Sequence, residues 1–184
     1  MTTAYQLTEA GTRLSRATIE RRPLGPRDVR LALKYCGICH SDLVAASDKL
    51  GGGMYPMVPG HEMVGVITEM GAEVSGVSIG DAVGVGCIAD SCRTCAACES
   101  GDEHYCETGF PLSFICADRD GRVNYGGYAS DYVVDFDYLV PIPAGADLAR
   151  MAPLLCGGIT VYTPLKRFNV GPGTTLCVLG VGGL

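Results

Sequence analysis

Residues 60–71 read Gly60-His61-Glu62-Met63-Val64-Gly65-Val66-Ile67-Thr68-Glu69-Met70-Gly71. The β-branched residues Val64, Val66 and Ile67 and the closing glycine predict a strand over Met63–Met70. Two residues with chemical capacity, His61 and Glu62, stand directly before it. Similar short segments flank this one. Val29–Tyr35 alternates as a strand. Asp81–Cys87 follows a Gly-Asp turn, Tyr128–Val134 makes another, and Tyr138–Ile142 ends among Pro141 and Pro143. Short strands with glycine and proline punctuation predict an all-β barrel or sandwich. Ser41–Ser47 reads as one or two helical turns capped by Ser41.

The pattern changes after Pro143. Asp147–Phe168 carries apolar residues at helical spacing, broken by Pro153, Gly157, Gly158 and Pro164, which predicts two short helices. Gly171-Pro172-Gly173 is a turn. Thr174–Leu179 is continuously apolar, as in a strand buried on both faces of a parallel sheet. A boundary is expected near residues 143–150.

The chain has 184 residues and a formal net charge of −6 at pH 7, with 18% charged and 47% hydrophobic residues. That composition supports a core and excludes the basic footprint of a nucleic-acid binder. No apolar run reaches the ~18 residues of a membrane helix, and Met1–Arg16 lacks the pattern of a secretory leader. A reducing, cytoplasmic setting is therefore expected for the ten cysteines.

Cys92, Cys95, Cys98 and Cys106 form a C-x2-C-x2-C-x7-C ladder in a polar loop. Four thiolates suit a tetrahedral zinc with every position filled by protein, a structural site that cross-links a loop with little core of its own. Disulfides and an iron–sulfur cluster are the alternatives. The first requires strained rings in the wrong compartment. The second departs from the ferredoxin spacing at its fourth cysteine. Three further segments each offer a ligand: Cys39-His40-Ser41-Asp42, Gly60-His61-Glu62, and Cys156 in Leu154–Gly158. Singly, each also reads as ordinary packing.

Taken together, these segments resemble a known family. Gly60-His61-Glu62-x2-Gly65-x5-Gly71-x2-Val74, the run Tyr35–Asp42 and the four-cysteine loop resemble the zinc-containing alcohol dehydrogenases of the medium-chain dehydrogenase/reductase superfamily. Tyr55–Glu62 and Asn124–Tyr128 are most similar to its cinnamyl alcohol dehydrogenase-like subgroup. The resemblance implies a mainly β fold: a GroES-like β-barrel catalytic domain over residues 1–146. The start of a truncated Rossmann α/β domain would follow over 147–184.

It implies two zinc ions per chain. Cys39, His61 and Cys156 would hold the catalytic one, with Glu62 as a transient ligand. Three protein ligands with an open fourth position make a Lewis acid for an alcohol or carbonyl oxygen. Asp42 would orient the His61 ring, and Ser41 would receive the alcohol proton. His40 would face the cofactor pyrophosphate and Thr160 the nicotinamide. Gly180, Gly182 and Gly183 would begin the glycine-rich turn for NADP or NAD. The implied activity interconverts primary alcohols and aldehydes by hydride transfer, in a homo-oligomer of a longer protein, with this chain as an inactive N-terminal fragment.

Val44 departs from the family, which often carries a proton-relaying histidine there. Tyr55, Ile88 and Phe110 are expected at the substrate walls. Cys36, Cys87, Cys116 and Cys177 are expected to pack. A zinc-stabilised β module without catalysis and an iron–sulfur electron carrier are the competing readings.

Overall fold

The computed structural model describes residues 1–49 and 51–182. Its main sheet has five antiparallel strands in the order β6-β3-β4-β5-β7. These are β3 (Asp28–Cys36), β4 (Met63–Met70), β5 (Ala82–Val85), β6 (Asp131–Asp135) and β7 (Val140–Pro141). Strand β4 occupies the predicted span and pairs with β3 on one side and β5 on the other. Its first half, Met63–Gly65, is buried, and its far end turns polar and exposed at Thr68 and Glu69.

The core gathers Val29 and Leu31 of β3, Met63 and Ile67 of β4, Val83 and Val85 of β5, and Tyr132 and Val134 of β6. Each comes from alternate positions, as a pleated strand with one inward face requires.

A two-stranded sheet precedes it: β1 (Thr2–Gln6) against β2 (Ser15–Ile19). The sequence reading did not include these strands, whose polar threonines and serine dilute the apolar signal. They are held by pairing across their own hairpin and by bonds to the segment before β6. Tyr5 N donates to Tyr128 O at 2.8 Å, and Ser130 N donates to Thr3 O at 2.8 Å.

Other expectations shift in register. The strand expected over Asp81–Cys87 pairs only over Ala82–Val85, because Gly86 leaves the sheet to lie against Leu155, where an added Cβ would meet the Leu155 carbonyl at 3.0 Å. Strand β6 begins later than expected, and Tyr138, expected to open the next strand, closes a 3₁₀ turn over Phe136–Tyr138, leaving β7 only Val140–Pro141. The short helix α1 spans His40–Ala46 with Cys39, not Ser41, at its N-cap, since the Asp42 carboxylate reaches back to the Cys39 N–H.

The short helix α2 (Ala96–Glu99) lies within the cysteine loop. After β7 come α3 (Leu148–Met151), a 3₁₀ turn (Ala152–Leu155) and α4 (Gly157–Arg167). Thr174–Leu179 forms no strand: those residues are exposed and pair with no strand among the described residues. Among the described residues, no helix is long and apolar enough to cross a membrane.

Candidate metal centres

The turn before β4 and the start of α1 are locked together by one carboxylate. Asp42, only 3% exposed, receives four hydrogen bonds. Its Oδ1 accepts from Gly60 N at 2.9 Å and pairs with His61 Nδ1 at 3.1 Å. Its Oδ2 accepts from Cys39 N at 3.0 Å and from the Tyr128 hydroxyl at 3.1 Å. Burial opposes this charge, but these donors, His61 first, hold the carboxyl below its ordinary range.

Gly60 permits the approach. Its φ is +103°, and a Cβ there would stand 2.8 Å from Tyr128 N.

An ionised carboxylate only accepts, so the His61 Nδ1 carries a proton, and Nε2 is the nitrogen left to present a lone pair once its own proton is displaced. The ring is fully buried, stacks on Phe114 at 4.4 Å, and leaves Nε2 with no hydrogen-bond partner. A buried ring nitrogen without a partner is costly unless something takes up its bonding capacity. Ligand atoms of Cys39, His61, Glu62 and Cys156 all lie within 4.8 Å of one another. Two sulfurs, an imidazole nitrogen and a carboxylate oxygen gathered this closely fit a zinc-type ion.

The surrounding charges report the same preference for a cation. Burial alone would lower the His61 pKa, but Asp42 and Cys87 outweigh it and raise it to about 12. Burial and the neighbouring Cys87 push the Cys156 thiol up to about 11. Cys39 moves down, its hydrogen bonding with Ser41 and the nearness of His61 and Cys156 overcoming its burial. Glu62 is 4% exposed and its carboxyl is raised by burial. Its side chain lies over Gly37, where any Cβ would overlap a carboxylate oxygen.

The second group is Cys92, Cys95, Cys98 and Cys106, whose sulfurs also lie within 4.8 Å of one another. Pairs at 3.5 Å (Cys95–Cys98) and 3.8 Å (Cys92–Cys98) are well beyond a disulfide bond, and all ten cysteines are free thiols. Backbone N–H groups point at the sulfurs: Cys95 N to Cys92 Sγ at 3.3 Å, Cys92 N to Cys106 Sγ at 3.4 Å and Glu107 N to Cys95 Sγ at 3.5 Å. The Thr94 and Cys95 N–H groups hold the Cys92 thiol down at about 5, against a small burial penalty.

The Arg119 guanidinium lies 3.6 Å from Cys106 Sγ. Arg93, between the first two cysteines, pairs with Asp135 of β6 at 2.9 Å and with Asp90 at 3.1 Å, tying the loop to the barrel. His104 is exposed, near Asp102.

The first centre opens into a cavity of about 700 Å³. Ser41 is exposed at its mouth with Oγ 3.6 Å from Cys39 Sγ, and Val44 and Met57 supply apolar wall. His40 is exposed beside them, and Thr160 is exposed on α4 with its N–H donated to Cys156 O at 2.9 Å. Gly180 and Gly182 are exposed, and Gly183 lies outside the described residues.

Four expectations need correction. Tyr55, Ile88 and Phe110 do not line this cavity; Tyr55 spends its hydroxyl on Ala45 O at 3.0 Å, Ile88 bridges to Leu112, and Phe110 faces a separate surface groove. Cys87 is half-buried and lines the cavity, as Cys116 does. Cys177 is exposed, because the strand that would bury it does not form. Phe114 and Tyr128 serve the site unanticipated. Cys36 does pack against the core, its thiol raised by burial to about 12, and Cys116 is half-buried against Leu112.

The chain is similar to known proteins. The profile of the alcohol dehydrogenase GroES-like domain matches residues 25–144. The chain is 48% identical over 182 residues to NADP-dependent alcohol dehydrogenase C 1 of Mycolicibacterium smegmatis, covering 98% of the chain and 52% of that protein. It is 45% identical over 183 residues to the protein named "Probable formaldehyde dehydrogenase AdhA" of Bacillus subtilis, covering 100% and 52%. The crystal structure of a CAD from Helicobacter pylori complexed with NADP(H) superposes with a TM-score of 0.91 at 39% identity, covering 94% of this chain and 50% of that one. The chain thus spans about half the length of the curated relatives it matches. With the profile covering the five-stranded sheet and the segments of Cys39, His61 and Cys92–Cys106, the chain belongs to the family of alcohol dehydrogenases with a GroES-like domain.

Proposed function

We propose that the whole protein is a zinc-dependent, NADP-linked oxidoreductase interconverting primary alcohols and aldehydes. In this reading residues 1–146 form the catalytic domain and residues 147–184 lead into a cofactor domain. The convergence of Cys39, His61, Glu62 and Cys156 around the orphan His61 Nε2 carries the reading. The similarity to NADP-dependent relatives supports the cofactor.

Zinc held by Cys39, His61 and Cys156 would supply Lewis acidity toward an alcohol or carbonyl oxygen. The chain's own residues do the rest. Asp42 fixes the His61 tautomer so that Nε2 faces the metal. Phe114 and the apolar wall of Val44 and Met57 keep water from the ring's flank. Ser41 stands where a substrate hydroxyl proton would be handed on. Val44 cannot relay it further, and the exposure of Ser41 gives the proton a direct route to solvent. His40 and Thr160 are assigned to the cofactor pyrophosphate and nicotinamide, and Gly180, Gly182 and Gly183 to the turn beneath the phosphates. Assembly as a homo-oligomer belongs to the same reading.

The four-cysteine loop holds the second zinc. Elemental analysis of the folded chain should find two zinc ions. The 184-residue chain should show negligible turnover, while a version continued to the relatives' length should reduce NADP in the presence of a primary alcohol. One zinc or none, or no alcohol-dependent NADP reduction by the longer protein, would overturn the assignment. In that case a zinc-stapled β module without chemistry is what remains.

A further inference from the structure

The four-cysteine loop is met by a cation from another part of the chain. We propose, on the zinc reading of Cys92, Cys95, Cys98 and Cys106, that Arg119 is the outer cation of this centre. Its guanidinium offsets thiolate charge at Cys106, which slows release of the ion and protects that sulfur from electrophiles.

Arg119 stands in the turn of a short hairpin beyond the loop. The turn is closed by the Ala117–Val123 bridge, by Asp118 N donating to Arg122 O at 2.8 Å, and by Arg122 N donating to Asp118 Oδ1 at 2.8 Å. From there each guanidinium nitrogen has a partner. Nη2 donates to Gly109 O at 2.7 Å and lies 3.6 Å from Cys106 Sγ, so its two hydrogens can serve one each. Nη1 donates to Thr108 Oγ1 at 3.3 Å, and Nε faces Asp90 Oδ2 at 3.5 Å. The Thr108 hydroxyl accepts from Arg119 and keeps its own proton for Cys106 Sγ, 3.5 Å away. The Cys92 N–H reaches the same sulfur at 3.4 Å.

Cys106 thus gathers three donors, one of them charged. The hydrogen bonds to the other sulfurs come from neutral groups: Cys95 N to Cys92, Glu107 N to Cys95, and the Ser91 hydroxyl beside Cys98 at 3.3 Å. Four thiolates carry twice the charge that a divalent ion cancels, and the excess leaves the bound sulfurs nucleophilic. A hydrogen bond from a guanidinium to a thiolate takes up part of that excess, and such a charged bond is about twice as strong as a neutral one. Asp90 does not consume the Arg119 charge, because its carboxylate is shared with Arg93 at 3.1 Å.

The test is alkylation of the zinc-loaded protein by iodoacetamide at low extent, with each cysteine followed by peptide mass mapping, beside zinc transfer to a chromophoric chelator. Outer partners of a metal site change affinity about 10–100-fold, and a half-exposed arginine belongs at the lower end. In Arg119→Gln the rate at Cys106 should therefore rise about 10-fold over its unsubstituted value. The rates at Cys92, Cys95 and Cys98 should rise less, and zinc should leave this centre faster. Arg119→Lys keeps the charge and loses the fork, so Cys106 should move in the same direction by a smaller factor. Unchanged rates in Arg119→Gln overturn the role of Arg119 alone. Equal acceleration at all four cysteines in both variants also overturns it, since that marks a loop merely unpinned. An unsubstituted protein whose four loop cysteines react no more slowly with zinc than without it overturns the zinc reading of the loop itself.

Discussion

Replacing Asp42 by asparagine isolates the group on which the first centre hangs. The amide oxygen of Asp42→Asn can keep the two donors that now meet Oδ1, Gly60 N and His61 Nδ1. The amide nitrogen must then face Cys39 N and the Tyr128 hydroxyl, at 3.0 and 3.1 Å from the present Oδ2. The hydroxyl can rotate to accept, but the backbone N–H cannot. One donor is left opposed in a half-buried setting, at a cost of about 1–3 kcal/mol. The bond to His61 also loses its charge assistance, which removes roughly half its strength. Flipping the amide is worse, because it opposes Gly60 N and forces the proton onto Nε2.

Loss of such a ligand-orienting partner lowers metal affinity by about 10–100-fold, or about 1.4–2.7 kcal/mol. The assay is a competitive zinc titration against a chromophoric chelator that resolves two sites. The weaker zinc should lose about 10–100-fold in affinity, and the four-cysteine zinc should be unchanged. A folded Asp42→Asn chain whose two zinc affinities both match the unsubstituted protein would refute the argument that this carboxylate sets the imidazole.

The other expectations follow from separate parts of the structure. Cys106→Ser should remove one zinc of two and make the 92–106 loop sensitive to limited proteolysis while the barrel stays folded, since that loop has few apolar anchors; elemental analysis and fragment mapping check both. In the metal-free chain His61 is raised to about 12, so its contribution to stability is complete below the ordinary histidine value and is lost as pH climbs toward about 12. Metal must displace that proton and the proton on Cys156, raised to about 11. Calorimetry at pH 7 in buffers of different ionisation enthalpy should therefore show net proton release on zinc binding at this site, and affinity rising with pH.

Asp28 is held below its ordinary value, its burial outweighed by Arg22 and the Gly25 N–H, so its contribution is present above the unfolded carboxylate value and lost as pH falls through the depressed one. Asp28→Asn should cost about 1–3 kcal/mol in urea unfolding at pH 7, discounted for a partly exposed arginine, and the difference should shrink in acid.

Some of this molecule is written locally. The span Met63–Met70 was legible because β-branched residues and a closing glycine encode a strand whatever surrounds them. The ladder Cys92–Cys106 was legible because its donors lie within one loop, so spacing alone sets their convergence. Cys39, His61 and Cys156 were named through family resemblance, since nothing in their separation along the chain says they meet.

Tertiary structure decided the rest. Strands β1 and β2 carry too little apolar character to announce themselves and exist through pairing with each other and with the segment before β6. Thr174–Leu179 has the composition of a buried strand and forms none, because a strand is a relation between two segments. Cys156 meets Cys39 and His61 because Gly84 and Gly86 leave room for Leu155 against the sheet, which no spacing along the chain announces. Local sequence fixes dihedral preference and short-range spacing, but which distant donors share a point is set only when the sheet closes and carries them there.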